Sequence, residues 1–123
     1  MEMNEISGII VDAAFEVHTT LGPGLLEEVY KQCLKCELLS QGLKVLAEVG
    51  LPVVYKTTAI DLGYRLDLLV EDLIIVEIKA IHQLAPIHRA QIITYLKLTG
   101  KPLGLLLNFN SRLIKDGIVR VIH

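Results

Sequence analysis

Tryptophan is absent from this chain of 123 residues, phenylalanine occurs twice, and aromatic residues make up only 5% of it. A core filled by large rings is excluded. The 52% of hydrophobic residues are rich in Leu, Ile and Val, which points to an aliphatic α/β core and away from a disordered segment. No apolar run approaches the ~18 to 20 residues of a membrane span. Met1 is followed by acidic and polar residues, not by a basic segment and an apolar stretch. The expectation is a cytoplasmic protein with no membrane partner. Positive charge is also scarce, since 12 Lys and Arg against 14 Asp and Glu leave a formal charge of −2. That balance argues against holding nucleic acid by phosphate neutralisation alone, which needs clustered Lys and Arg over one face.

Cysteine is rarer still, with two residues. Cys33 and Cys36 form a lone CxxC, but a structural zinc site needs four ligands, and no second Cys or His pair is spaced to complete it. Leu26, Val29, Cys33 and Cys36 recur at three- and four-residue intervals. This predicts that both thiols lie on the apolar stripe of one helix and pack as small hydrophobes. A redox or metal-sensing role for the pair would instead need exposed, acidic thiols.

What is present has the length of one domain, 1–123, which at this size buries roughly two-thirds of the extended chain's surface. Ile6, Ile9, Ile10, Ala13, Ala14, Val17 and Leu21 follow a 3.6-residue period and predict a first helix from Asn4, as N-cap, to about Leu21. Gly22-Pro23-Gly24 breaks it, and a second helix is expected from about Leu25 to Ser40, closed by Gln41-Gly42. Period-two patterning then predicts strands over Leu43 to Val49, Leu51 to Tyr55, Thr58 to Leu62, Tyr64 to Val70 and Leu73 to Lys79. The first two are open to being one strand bent around Pro52. Helix returns over Pro86 to Leu98 with Gly100 as C-cap. Leu103 to Phe109 reads as a strand covered on both faces, and Gly117 to Ile122 as an edge strand.

Charged residues interrupt two strands that otherwise read as buried: Asp67 in the first, Glu77 and Lys79 in the second. Burying a carboxylate without compensation costs several kcal/mol, so the pair implies a cationic partner, a bound metal or a solvent-filled cleft. Glu77 and Lys79, two apart, share a face of the strand. Asp67 joins them only if its pairing with Glu77 has even parity. A two-residue loop at Glu71-Asp72 would put the carboxylates on opposite faces, whereas a three-residue loop or a bulge unites them, and the latter is predicted. Two converging carboxylates suit Mg²⁺ or Mn²⁺, with a structural ion pair to Lys79 as the plainer alternative.

The pattern D-x(9)-E-x-K across a hairpin resembles the signature of the PD-(D/E)XK nuclease superfamily, with Leu66 where the name's Pro would stand. Gly24-Leu-Leu-Glu27-Glu-Val-Tyr30 matches G-x-x-E-x-x-Y, the pattern that names the GxxExxY protein family. Gln91-Ile-Ile-Thr-Tyr95 is similar to the Q-x-x-x-Y element of RecB-like nucleases. The GxxExxY resemblance extends to His18, Pro52, Asp61, Tyr64, His88 and Asn108-Phe109. It implies a restriction-endonuclease-like core, a mixed central β-sheet flanked by helices in α-α-β-β-β-α-β order. It further implies Mg²⁺ (or Mn²⁺) held by Glu27, Asp67 and Glu77, and catalysis by Asp67, Glu77 and Lys79 with Gln91 and Tyr95 positioning substrate or Lys79. The implied activity is hydrolysis of DNA or RNA, with modest phosphate contacts from Arg65, Arg89, Lys97 and Lys101. The alternative is a catalytically silent scaffold of the same fold acting in self-association or partner binding. Without appendages, such a domain gains substrate reach through a partner or a second copy, which leaves a homodimer open. His18 and His88 are left outside the site, because a lone helical His is more often a surface or satisfied core residue.

Overall fold

The computed structural model describes residues 1–61 and 63–123. Two helices come first, α1 (Met3–Leu21) and α2 (Glu27–Ser40). The strands β1 (Val45–Gly50), β2 (Val53–Tyr55), β3 (Thr58–Ile60), β4 (Arg65–Val70) and β5 (Ile74–Lys79) follow. Helix α3 (Pro86–Thr99), strand β6 (Leu103–Asn108), a 3-10 turn (Ile114–Gly117) and strand β7 (Ile118–Ile122) complete the chain. The main sheet has the order β1-β4-β5-β6-β7, with β5 and β6 parallel and the other neighbours antiparallel. The expected order α-α-β-β-β-α-β holds for β1, β4, β5, α3 and β6, with β7 added at the edge and the β2–β3 hairpin inserted.

Each face of the sheet buries its own apolar layer. Ile6, Ile10 and Val17 of α1 and Tyr30, Leu34 and Leu38 of α2 pack on Leu68, Val70, Ile74, Val76, Ile78 and the odd-numbered residues of β6. On the opposite face Ile92, Tyr95 and Leu96 of α3 pack on Leu66, Leu69, Ile75, Leu106 and Val121. Coverage on both faces is why β5 and β6 read as continuous apolar runs. Gly104 lets α3 approach closely: a Cβ there would lie 2.7 Å from Ile92 Cδ1.

Several expectations shift. Helix α1 starts earlier than Asn4. Glu2 is its N-cap and donates its backbone N–H to the Glu5 carboxylate at 3.4 Å, while the Asn4 side chain accepts from Arg120 Nη2 at 2.9 Å. The same guanidinium donates to Ser7 Oγ at 3.0 Å, fastening the first helix to the last strand. Helix α2 starts at Glu27, not Leu25. The segment around Pro52 is not one bent strand: β1 stays in the main sheet and β2 pairs with β3 in a separate hairpin. Leu62, expected at the end of the Thr58 strand, lies outside the described residues.

The cysteine stripe also needs correcting. Cys36 is exposed and Cys33 half-buried. The buried face of α2 is carried by Tyr30, Leu34 and Leu38, together with Lys31, and this leaves Leu26 exposed. Two apolar stripes fit the period of this helix, and tertiary packing selects the one with the larger side chains. Among the described residues no helix is long and apolar enough to cross a membrane.

Candidate active site

The hairpin between β4 and β5 sets the geometry of the site. Val70 pairs with Ile74, so Glu71-Asp72-Leu73 form a three-residue connection. Glu71 and Asp72 both take positive φ (52° and 55°), and the Leu73 N–H bonds the Val70 carbonyl at 3.0 Å. Those φ signs are the ones a type I′ turn requires, and Leu73 is the extra residue that changes the parity. The register extrapolates to Asp67 opposite Glu77, as predicted.

Regular pairing stops one step short of that pair, at Leu68 with Val76. Beyond it the side chains take over the backbone's hydrogen bonds. The Asp67 N–H donates to Glu77 Oε2 at 2.9 Å, and the Ile78 N–H donates to Asp67 Oδ2 at 2.8 Å. The β1–β4 ladder is interrupted at the same level, between Ala47–Leu68 and Val49–Leu66, and Glu48 there has φ of 54°. Leu66 accordingly packs on the α3 side and Leu68 on the α1/α2 side, although they are two apart. The break in the pleat places Asp67 at the junction of the two faces.

Glu77 is buried, at 5% exposure, and Asp67 half-buried. Burial, and after it the charge of Asp67, pushes the Glu77 carboxyl up to about 8, with Lys79 pulling weakly the other way. A buried carboxylate in this state is short of positive charge. On the α3 side, burial and then the charge of Glu77 raise the Tyr95 phenol above its ordinary value, so it remains protonated at neutral pH. Gln91 lies one turn before Tyr95 on α3, and both line the same cleft.

The G-x-x-E-x-x-Y motif supports the site from the opposite side. Gly22 and Gly24 take positive φ (69° and 104°). Tyr30, fully buried, donates its hydroxyl to the Gly22 carbonyl at 2.6 Å and accepts the Leu25 N–H at 3.1 Å. Its ring stacks on Phe109 with centroids 4.7 Å apart. The turn pinned in this way starts α2 at Glu27, whose Oε2 accepts the Ala80 N–H at 3.3 Å, one residue past Lys79. Asn108, in register with Lys79, holds the next residue: its amide donates to the Ile81 carbonyl at 3.0 Å and accepts the Ile81 N–H at 3.1 Å. The end of β5 is therefore clamped from two directions.

Glu27 and Asp67 line a small cavity of about 40 Å³ together with Glu28, Lys31 and Ile78, space for an ion and one or two waters. Its acidic lining residues Glu27, Glu28 and Asp67 carry carboxylate oxygens, the ligand type of a hard divalent cation, beside the ammonium of Lys31. Asp67, Glu77 and the nearby Glu27 thus fit such an ion in chemical type. Among the described residues, no group of three or more His, Cys, Asp or Glu side chains is arranged to hold a metal as it stands.

Sequence reasoning missed Lys31. Its ammonium group is buried against Glu28, at 2.8 Å, and against Glu48, on the wall of the same cavity. Its spacing of four from Glu27 on a helix was the available signal. His18 and His88 each make a bond within the fold. His18 Nε2 bonds the Ser111 carbonyl at 2.8 Å, and His88 Nδ1 accepts the Ala85 N–H at the start of α3.

Neither the curated proteins nor the solved structures contain a match to this chain. The family model of the PD-(D/E)XK nuclease superfamily matches residues 4–121, from the first turn of α1 into β7, and the chain belongs to that superfamily.

Proposed function

We propose that this protein is a divalent-metal-dependent nuclease of the GxxExxY type that hydrolyses phosphodiester bonds of DNA or RNA. The observation that supports it most is the reciprocal arrangement of Asp67 and Glu77 at the point where the β4–β5 ladder ends and the β1–β4 ladder is interrupted. Lys79 follows Glu77 on the same face of β5. A purely structural ion pair does not need an interrupted sheet.

In this reading Asp67 and Glu77, with Glu27 directly or through water, hold Mg²⁺ or Mn²⁺. When bound, the ion supplies Lewis-acid polarisation of the phosphate and a more acidic water. Lys79 orients the attacking water and stabilises negative charge developing on the phosphate oxygens. Gln91 and Tyr95, a donor-acceptor amide and a protonated phenol, position the substrate strand or Lys79. A second copy of the chain in a homodimer would extend the contact with a long substrate.

The test is Mg²⁺- and Mn²⁺-dependent cleavage of single- and double-stranded DNA and RNA by wild type, Asp67→Ala, Glu77→Ala and Lys79→Ala. Cutting by wild type that is lost in all three variants supports the nuclease. No cutting, together with no calorimetric binding of either metal, supports the silent scaffold.

A further inference from the structure

A cleft of about 550 Å³ opens between α3 and the β2–β3 hairpin, lined by Leu51, Tyr64, Ile87, Gln91, Tyr95 and Leu98 among others. Its volume lies within the range of small-molecule pockets, about 300 to 1,000 Å³. Among the described residues, its lining carries no charged side chain, so it offers a phosphate no neutralising partner. It offers two phenol rings, an amide with both donor and acceptor, and aliphatic walls. Tyr64 and Ile87 stand exposed at its edge, an unfavourable arrangement for large side chains that face only water.

The cleft is linked to the candidate active site through Tyr95, which lines it. Tyr95 and Ile75 belong to one apolar layer, and Glu77 and Lys79 are the next residues of β5 on that face. A ligand in the cleft and a phosphate at Asp67 and Glu77 would therefore be neighbours. The chain's charge of −2 limits how much affinity phosphate contacts can supply. Stacking of bases on aromatic rings is independent of that limit and is the usual complement of backbone contacts in proteins that hold single strands.

We propose that this cleft receives an unstacked nucleobase flanking the scissile phosphate, stacked on Tyr64 and edge-bonded by Gln91, so that the protein selects single-stranded or frayed nucleic acid. The proposal rests on the nuclease reading for its orientation, but base capture is measurable without cleavage.

The experiment is fluorescence anisotropy in Ca²⁺ with three labelled probes: a single-stranded oligonucleotide, the same length of abasic strand, and a blunt duplex. Wild type, Tyr64→Phe and Tyr64→Ala are compared, with melting curves confirming that each is folded. The single strand is expected to bind about tenfold more tightly than the abasic strand or the duplex. Tyr64→Phe should keep that preference, and Tyr64→Ala should lose most of it with abasic binding unchanged.

Equal affinity for base-bearing and abasic strands, no binding of any probe, or a Tyr64→Ala loss shared by all probes would overturn the proposal. So would a concentration-dependent dimer that Tyr64→Ala dissociates, since the cleft would then be filled by a second copy. Base-dependent binding without metal-dependent cleavage would keep the cleft assignment and remove the nuclease reading; cleavage without base dependence would do the reverse.

Discussion

Glu77 and Asp67 exchange places with the backbone: each carboxylate accepts an N–H that a regular antiparallel ladder would not offer to a side chain. The two N–H donors fix both side chains before any cation arrives, and a cation must displace the proton that Glu77 keeps below about pH 8. Asp67→Asn and Glu77→Gln, which keep shape and remove charge, should each lower metal-dependent cleavage by at least about 10²-fold while the fold persists. Single-turnover rates and circular dichroism check this together. Retention of more than a tenth of the wild-type rate would remove that residue from the reaction.

Stability should depend on pH through Glu77. Its folded-state value of about 8 lies above the ordinary 4.5, so between those values the folded protein holds a proton that the unfolded chain has released. The associated stability is complete below about pH 4.5 and is lost as pH rises through 8, by a few kcal/mol at most. Urea titrations of metal-free protein at pH 5.5 and 8.5 should show the midpoint falling with pH. Glu77→Gln should flatten the trend, and saturating Mg²⁺ or Mn²⁺ should raise the midpoint most at the higher pH. A wild-type slope unchanged in Glu77→Gln would assign it to other groups.

Lys31 places a cation beside the carboxylates of the small cavity. Its partners Glu28 and Glu48 are exposed and remain solvated without it. Lys31→Met should therefore change stability by no more than about 1 kcal/mol. With one positive charge removed from the cavity wall, Mn²⁺ should bind severalfold more tightly by calorimetry. Weaker binding would show that Lys31 organises the acidic side chains more than it repels the ion.

Tyr30→Phe keeps the stacked ring and deletes a hydroxyl that serves both Gly22 and Leu25. Leu25 is exposed and Gly22 only half-buried, so water replaces part of what is lost, and the cost should be about 0.5–1.5 kcal/mol in chemical denaturation. Because the same turn sets where α2 starts, cleavage should also fall through Glu27. A variant as stable as wild type would mean that the turn is held by its glycines alone.

The Asp67–Glu77 alignment was legible because strand parity leaves two outcomes, and a three-residue loop or a bulge is what unites the carboxylates. Strands β5 and β6 were legible because coverage on both faces produces unbroken apolar runs. The exposure of Cys36 was not, since α2 carries two stripes of similar period and only its neighbours decide between them. Nor was the positive φ of Glu48, the burial of Lys31, or the separation of β2 from β1, all of which depend on partners distant in the chain. Glu27 was identified by resemblance, and its bond to the Ala80 N–H supplies a physical reason for its place in the motif.

The fork of Arg120 spans 113 and 116 residues to reach Ser7 and Asn4. Closing so long a loop is entropically expensive, so this junction belongs among the last contacts to form and the first to open. Strand β7 and the first turns of α1 should then exchange their amide hydrogens as one cooperative unit, faster than β4, β5 and β6. The hairpin carrying Asp67 and Glu77 lies inside the slower unit, insulated from fraying at the two ends of the chain.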